Sequence, residues 1–156
     1  TWRALIELHK QGRARSIGVS NFHIPYLQRI LDETGVVPVL NQIELHPHFQ
    51  QTALREFHAQ HKIATEAWSP LGQGQLFNDA TIVALAKKYG RSPAQIILRW
   101  HLDSGHIAIP KSVTPQRIRE NFAIFDFHLD DDDMRAIAAL DNPRGRVGPD
   151  PDTAEF

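Results

Sequence analysis

Four short apolar segments of this chain end in side chains able to do chemistry. The ends read Ser20-Asn21, Gln42 with Glu44, Trp68-Ser69 and Lys111-Ser112. Amides and hydroxyls can fix the orientation of another amide, an indole can stack on a planar ring, and Lys beside Arg can neutralise phosphate. A carboxamide-bearing aromatic ring joined to phosphate would match that set. The most pointed stretch is Ile109 to Arg117, where Lys111, Ser112, Thr114 and Arg117 crowd a strand end and the start of a helix. Backbone N–H groups and the helix dipole favour anions at such a place. The plainer alternative for the same residues is a loop lysine and a helix arginine in solvent.

The elements that must position these residues alternate. Apolar Trp2, Leu5, Ile6 and Leu8 at helical spacing predict a helix over 1–12 ended by Gly12, followed by a strand over 16–19. Pro25 in a first turn and Gly35 after Thr34 bound a helix over 24–34. A strand over 39–43, a helix over 52–61 and a strand over 63–68 follow, and then a Gly- and Gln-rich loop over 69–79. A helix ending at Gly90, a helix opened by Ser92-Pro93, a strand over 107–109, a helix from Pro115 and a helix over 131–140 complete the order, before a Pro/Gly/Asp tail over about 142–156. Parallel strands cannot be joined by hairpins, so this alternation predicts α/β with right-handed crossovers. An open doubly wound sheet and an arc of a (β/α)8 barrel both fit, and in both the ligand lies at the carboxyl ends of the strands. Four strands are half of eight, and 156 residues fall short of the roughly 250 of a whole barrel. The expected fold is therefore four parallel strands with helices on one face, half a TIM barrel. It forms one domain over 1–156, with no second domain.

Composition narrows the function classes. With 42% apolar and 22% charged residues the chain is globular, and a formal charge of −1 provides no field for nucleic acid or anionic lipid. No apolar run reaches the roughly 18 to 20 residues of a membrane span and no leader pattern opens the chain, so neither nucleic acid nor membrane is an expected partner. The absence of cysteine excludes disulfides, thiol catalysis and Cys-ligated zinc. A cytoplasmic location is the expectation.

Ile17-Gly18-Val19-Ser20-Asn21-Phe22, Asn41-Gln42-Ile43-Glu44-Leu45-His46-Pro47, Ser69-Pro70-Leu71-Gly72 and Ile109-Pro110-Lys111-Ser112 through Glu120-Asn121 resemble the aldo-keto reductases, in order and across essentially the whole chain. Trp68 in place of the commoner tyrosine, Gln73, and Gly145-Arg146-Val147 are similar to the microbial branch that reduces keto-sugar acids such as 2,5-diketo-D-gluconate. The resemblance implies NADPH-dependent reduction of aldehydes, ketones or keto sugars to alcohols, with a small carbonyl compound as substrate. It would place the nicotinamide carboxamide on Ser20, Asn21 and Gln42, and the ring on Trp68. Ser69, Leu71 and Gln73 would line the pyrophosphate. Lys111, Ser112, Thr114 and Arg117 would hold the 2′-phosphate, and Glu120 and Asn121 would meet the adenine. Thr114 stands where some close relatives carry arginine, which would weaken the preference for NADPH over NADH.

The same resemblance implies a general-acid tyrosine tuned by a lysine and an aspartate, with a histidine orienting the substrate, all in the front half of the barrel. The two tyrosines present, Tyr26 and Tyr89, are expected on helices, away from strand ends. Geometry precedes pKa in choosing a proton donor. No catalytic residue is therefore assigned to this chain, which alone would be inactive. The alternative function is a non-catalytic NADP(H)-binding or self-associating half-barrel, since an exposed apolar sheet face and open edges are association surfaces.

Other signals have simpler explanations. His58-x-x-His61 and His46-Pro47-His48 lack a third ligand, so surface or loop histidines are expected, with His46 packing structurally and no metal bound. Gly72-Gln73-Gly74 lacks the third glycine of a dinucleotide fingerprint. The acidic run over 130–133 is read as a helix N-terminus backed by Met134, Ile137 and Leu140.

Overall fold

The computed structural model describes residues 1–154. Seven helices and four strands alternate along the described residues: α1 (Trp2–Lys10), β1 (Val19–Ser20), α2 (Ile24–Thr34), β2 (Leu40–Glu44), α3 (Thr52–His61), β3 (Ala64–Trp68), α4 (Ala80–Tyr89), α5 (Pro93–Asp103), β4 (Ile107–Ala108), α6 (Pro115–Phe122) and α7 (Asp131–Ala138). The strands are hydrogen-bonded in the order β1-β2-β3-β4, so chain order is sheet order. β1 and β2 are parallel, with Val19 opposite Asn41 and Ser20 opposite Gln42. The α/β class is as expected. The chain divides into two compact units, one of residues 1–43 with 51–66, the other of 44–50 with 67 onward.

In the first unit, Trp2, Ile6 and Ile17 are buried together, with Leu5, Val19 and Ile30 packed against them. Pro25 opens α2, and Gly35 closes it in the left-handed region at φ 66°, its N–H bonded to Leu31 O at 2.8 Å. The strand expected over 16–19 is shorter and lies further along, at Val19–Ser20. Ile17 still accepts from the Val39 N–H at 2.9 Å.

In the second unit, Ile82, Ile96, Ile97, Leu98, Trp100 and Ile137 form a buried interior under α4, α5 and α7. Each of those helices begins with a capping side chain. Asp79 accepts from the N–H groups of Thr81 and Ile82, Ser92 and Gln95 make a capping box, and Asp130 and Asp133 make another. The acidic run is thus the helix start that the sequence indicated, though α7 stops at Ala138 rather than Leu140. The expected loop over 69–79 contains a 3₁₀ stretch, Gly72–Asn78, interrupted by left-handed Gln73 (φ 53°) and Gly74 (φ 86°). β4 ends at Ala108, one residue before the expected boundary.

Candidate functional site

In the first unit the β1 exit folds onto the end of β2. The Ser20 hydroxyl and the Asn21 N–H both donate to the Gln42 carbonyl, at 3.1 and 2.9 Å. Asn21 is left-handed at φ 60°, a conformation that asparagine tolerates better than most residues. The Gln42 side chain donates its Nε2–H to Glu66 Oε1 on β3. The structure therefore brings Ser20, Asn21 and Gln42 together, as the sequence indicated.

Asn41, fully buried beneath them, anchors the turn. Its side chain accepts from the Phe22 N–H at 3.3 Å, donates to Phe22 O at 2.8 Å and donates to His58 Nε2 at 3.1 Å. His58 Nε2 is thus an acceptor, and the proton sits on Nδ1, which donates to the Thr65 hydroxyl at 2.9 Å. Burial pushes the His58 imidazole down to about 4, so it is neutral at ordinary pH. This corrects the surface reading of His58. Leu54, Phe57 and His58 are the buried residues of α3, at helical spacing, and the histidine belongs to that inward face. The spacing was visible in the sequence, but the residue type suggested solvent.

In the second unit, Ser69, Leu71, Gln73, Lys111, Ser112, Thr114, Arg117, Glu120 and Asn121 line one cavity of about 680 Å³. Ser92, Pro93 and Ala94, the N-terminal end of α5, close part of its wall and add the positive end of a helix dipole. α6 is held against α5 by Gln95, whose Nε2 donates to Glu120 O at 3.1 Å and Ala123 O at 2.8 Å. That contact fixes the face carrying Arg117, Glu120 and Asn121. Lys111, Thr114 and Arg117 are exposed, and neither cation has an ion-pair partner among the described residues. Ser69 and Gln73 both adopt positive φ, the backbone bending sharply where it meets the cavity.

Trp68 does not line that cavity. It packs against the tail at Gly148, where a Cβ would lie 2.4 Å from the indole Cη2, so only glycine admits the tail this close. Beside it the buried Glu44 carboxylate accepts from Val147 N–H at 2.5 Å, Gly148 N–H at 3.1 Å and His46 Nε2 at 3.1 Å, with Arg146 Nη1 at 3.8 Å. Burial alone would raise the Glu44 pKa, but the hydrogen bonds from His46, Val147 and Gly148 outweigh it and hold the group below the usual carboxylate range. Gln50 continues the grip, its Nε2 donating to Ile137 O at 2.8 Å and its N–H to Asp141 at 2.8 Å. At Gly145 a Cβ would fall 1.8 Å from His48 O. Sequence reasoning missed this receptor for the tail. Its only traces were an acidic residue and a histidine two apart at a strand end, and two glycines far downstream.

One cluster imitates a catalytic set. Tyr89 donates its hydroxyl to Asp133, and Lys88 reaches Asp130 at 2.7 Å and Asp133 at 2.8 Å. Burial and the hydrogen bond to Asp133 push the phenol up, and the cluster ties the end of α4 to the start of α7. It is a structural lock, on helix ends as the sequence indicated.

A model of the Aldo/keto reductase family matches residues 1–142. The chain belongs to the aldo/keto reductase family. It is 59% identical over 153 residues to methylglyoxal reductase DkgA of Escherichia coli strain K12, covering 97% of this chain and 55% of DkgA. An aldo-keto reductase of Mycolicibacterium smegmatis is 53% identical over 156 residues, covering all of this chain and 56% of that protein. The crystal structure of a Gox0644 variant in complex with NADPH superposes with a TM-score of 0.97 at 59% identity, over 100% of this chain and 58% of the other. This aldo/keto reductase chain thus spans about half the length of the curated relatives it matches, and its fold is the part of a TIM barrel that the strand count indicated.

Proposed function

We propose that this chain supplies NADPH-binding residues of a reductase that converts small carbonyl compounds to alcohols. The observation that carries the reading is the cavity of the second unit, lined by every residue of 68–121 that the sequence assigned to the dinucleotide except Trp68. Its donor set suits phosphate: two cations without ionic partners among the described residues, four hydroxyls and a helix N-terminus, against a single carboxylate, Glu120. Lys111, Ser112, Thr114 and Arg117 would hold the 2′-phosphate, Ser69, Leu71 and Gln73 the pyrophosphate, and Glu120 with Asn121 the adenine. In the first unit, Ser20, Asn21 and Gln42 would fix a carboxamide. Trp68, held from behind by Gly148, would offer its indole as a platform for the nicotinamide ring. When bound, the dinucleotide would supply the hydride for reduction of a carbonyl carbon.

No proton donor for the alcohol is assigned among these residues, and the Tyr89 hydroxyl is committed to Asp133. Among carbonyl substrates, a short 2-oxoaldehyde is the first to try, since the DkgA relative is named for methylglyoxal. Titration of the chain with NADPH, followed by quenching of tryptophan fluorescence, tests the reading: binding weakened by salt and stronger for NADPH than NADH is expected. Equal affinity for the two cofactors, or no binding, overturns it. NADPH oxidation by the chain with methylglyoxal is expected to be absent, and turnover would place a proton donor within the chain. A chain that binds NADPH but stays inactive when supplied with the rest of the barrel is instead a binding module.

A further inference from the structure

Gln42 is tied through two separate groups, its backbone carbonyl and its side-chain amide. Its backbone carbonyl takes the Ser20 hydroxyl and the Asn21 N–H, while its side-chain Nε2–H goes to Glu66 on the neighbouring strand. A primary amide free to flip offers a ligand either a donor or an acceptor, whereas an ionised carboxylate only accepts. A carboxylate at this place therefore removes one of the two orientations. With one Nε2–H given to Glu66, the amide keeps Oε1 and a second N–H, and Oε1 is the end turned away from the carboxylate. Gln42 and Glu66 are both half-buried, so the choice is made where water competes poorly.

We propose that Glu66 is a positioning residue that locks the Gln42 amide with its oxygen toward the ligand, making this site selective for a group carrying an N–H donor, the NH2 of a primary carboxamide. The inference rests on the reading of Gln42 as a carboxamide contact and adds the direction of that contact and the residue that sets it. Glu66 itself need not touch the ligand. Its charge acts through Gln42, so a neutral isostere that can both donate and accept should loosen the lock without opening a hole.

The experiment compares NADP+ with its 3-acetylpyridine analogue, in which a methyl ketone replaces the carboxamide and the NH2 is gone. Both are oxidised and carry the same ring charge, so any direct attraction of the ring to Glu66 cancels in the ratio of affinities. The wild-type chain should bind NADP+ more tightly than the analogue. Glu66→Gln should weaken NADP+ binding about three- to tenfold, the value of one directed hydrogen bond, and leave the analogue within about twofold, so that the preference shrinks. Glu66→Asp should restore part of it. In the ligand-free protein, the Gln42 side-chain NH2 resonances should move on Glu66→Gln while the Ser20 and Asn21 amide resonances stay in place. An equal loss for both dinucleotides would show a merely structural Glu66 and overturn the inference, leaving the cofactor reading intact. Failure of the wild-type chain to bind either dinucleotide would remove that reading and this inference with it. Unmoved Gln42 resonances would overturn the lock whatever the binding data.

Discussion

Two polar regions of the second unit carry similar side-chain chemistry and meet opposite fates. Over 44–50, the Glu44 carboxylate and the Gln50 amide are buried and bonded: Glu44 takes two backbone N–H groups and an imidazole, and Gln50 bonds three backbone carbonyls of the chain. Over 109–121, Lys111, Thr114 and Arg117 stand in solvent around a cavity of about 680 Å³, with no ionic partner for either cation among the described residues. A buried charge without partners is costly, so the first region has to be complete within the fold. Exposed cations carry little such penalty and can wait for a ligand. Satisfaction therefore separates the polar groups that hold this protein together from those that the proposed function assigns to binding.

Substitutions can break that contrast. The largest effect is expected at Glu44, where Glu44→Ala strands two backbone N–H groups and His46 in a buried site. Urea denaturation should show a loss of about 3 kcal/mol, and a change under 0.5 kcal/mol would reduce the tail receptor to decoration. Next comes the double change Lys111→Ala with Arg117→Ala, expected to lower NADPH affinity by about 2 to 3 kcal/mol, roughly 30- to 150-fold, from lost charge-assisted hydrogen bonds. Its denaturation midpoint should hardly move, and calorimetry showing instead a large loss of stability would erase the distinction. Gly148→Ala forces a methyl against the indole of Trp68 and should cost about 1 to 2 kcal/mol, with a shift in tryptophan emission. An unchanged emission spectrum would mean that the tail does not set the ring.

The smallest expected effect is a dependence of stability on pH that sorts the buried groups by sign. The folded pKa of His58 is pushed down to about 4, below its unfolded value of 6.5, so the unfolded chain takes up the proton first. The contribution is complete above 6.5 and is lost as pH falls toward 4, about 1 kcal/mol between pH 7 and 5.5. The folded pKa of Glu44 also lies below its ordinary value of 4.5, so its contribution persists above 4.5 and disappears only as pH falls through the folded value. His58→Asn should flatten the upper part of the curve and leave the acid limb in place. A slope between pH 7 and 5.5 that survives this change would assign the titration to another group.

Most helix boundaries were legible because their signals are local. Pro25 and Gly35 bracket α2, the Ser92-Pro93 pair with Gln95 opens α5, and the acidic run opens α7, each through hydrogen bonds made within a few residues. The cavity residues of 109–121 were legible for a related reason: polar types clustered at a strand end and a helix start. Strand boundaries were less so, since a strand depends on what stands opposite it, and β1 is Val19–Ser20 where 16–19 was expected.

By itself the sequence determined the alternation of strands and helices, the family, and the residues that face the cavity, because periodicity, caps and short motifs are set by neighbours along the chain. Only the tertiary structure decided that His58 is a neutral core histidine under the Asn21 turn, that Glu44 holds Val147 and Gly148 more than a hundred residues away, and that Glu66 meets the Gln42 amide. A carboxylate or imidazole reads alike in a sequence whether it lies in water or in the core. Its partners arrive from distant segments, and they fix its charge and orientation.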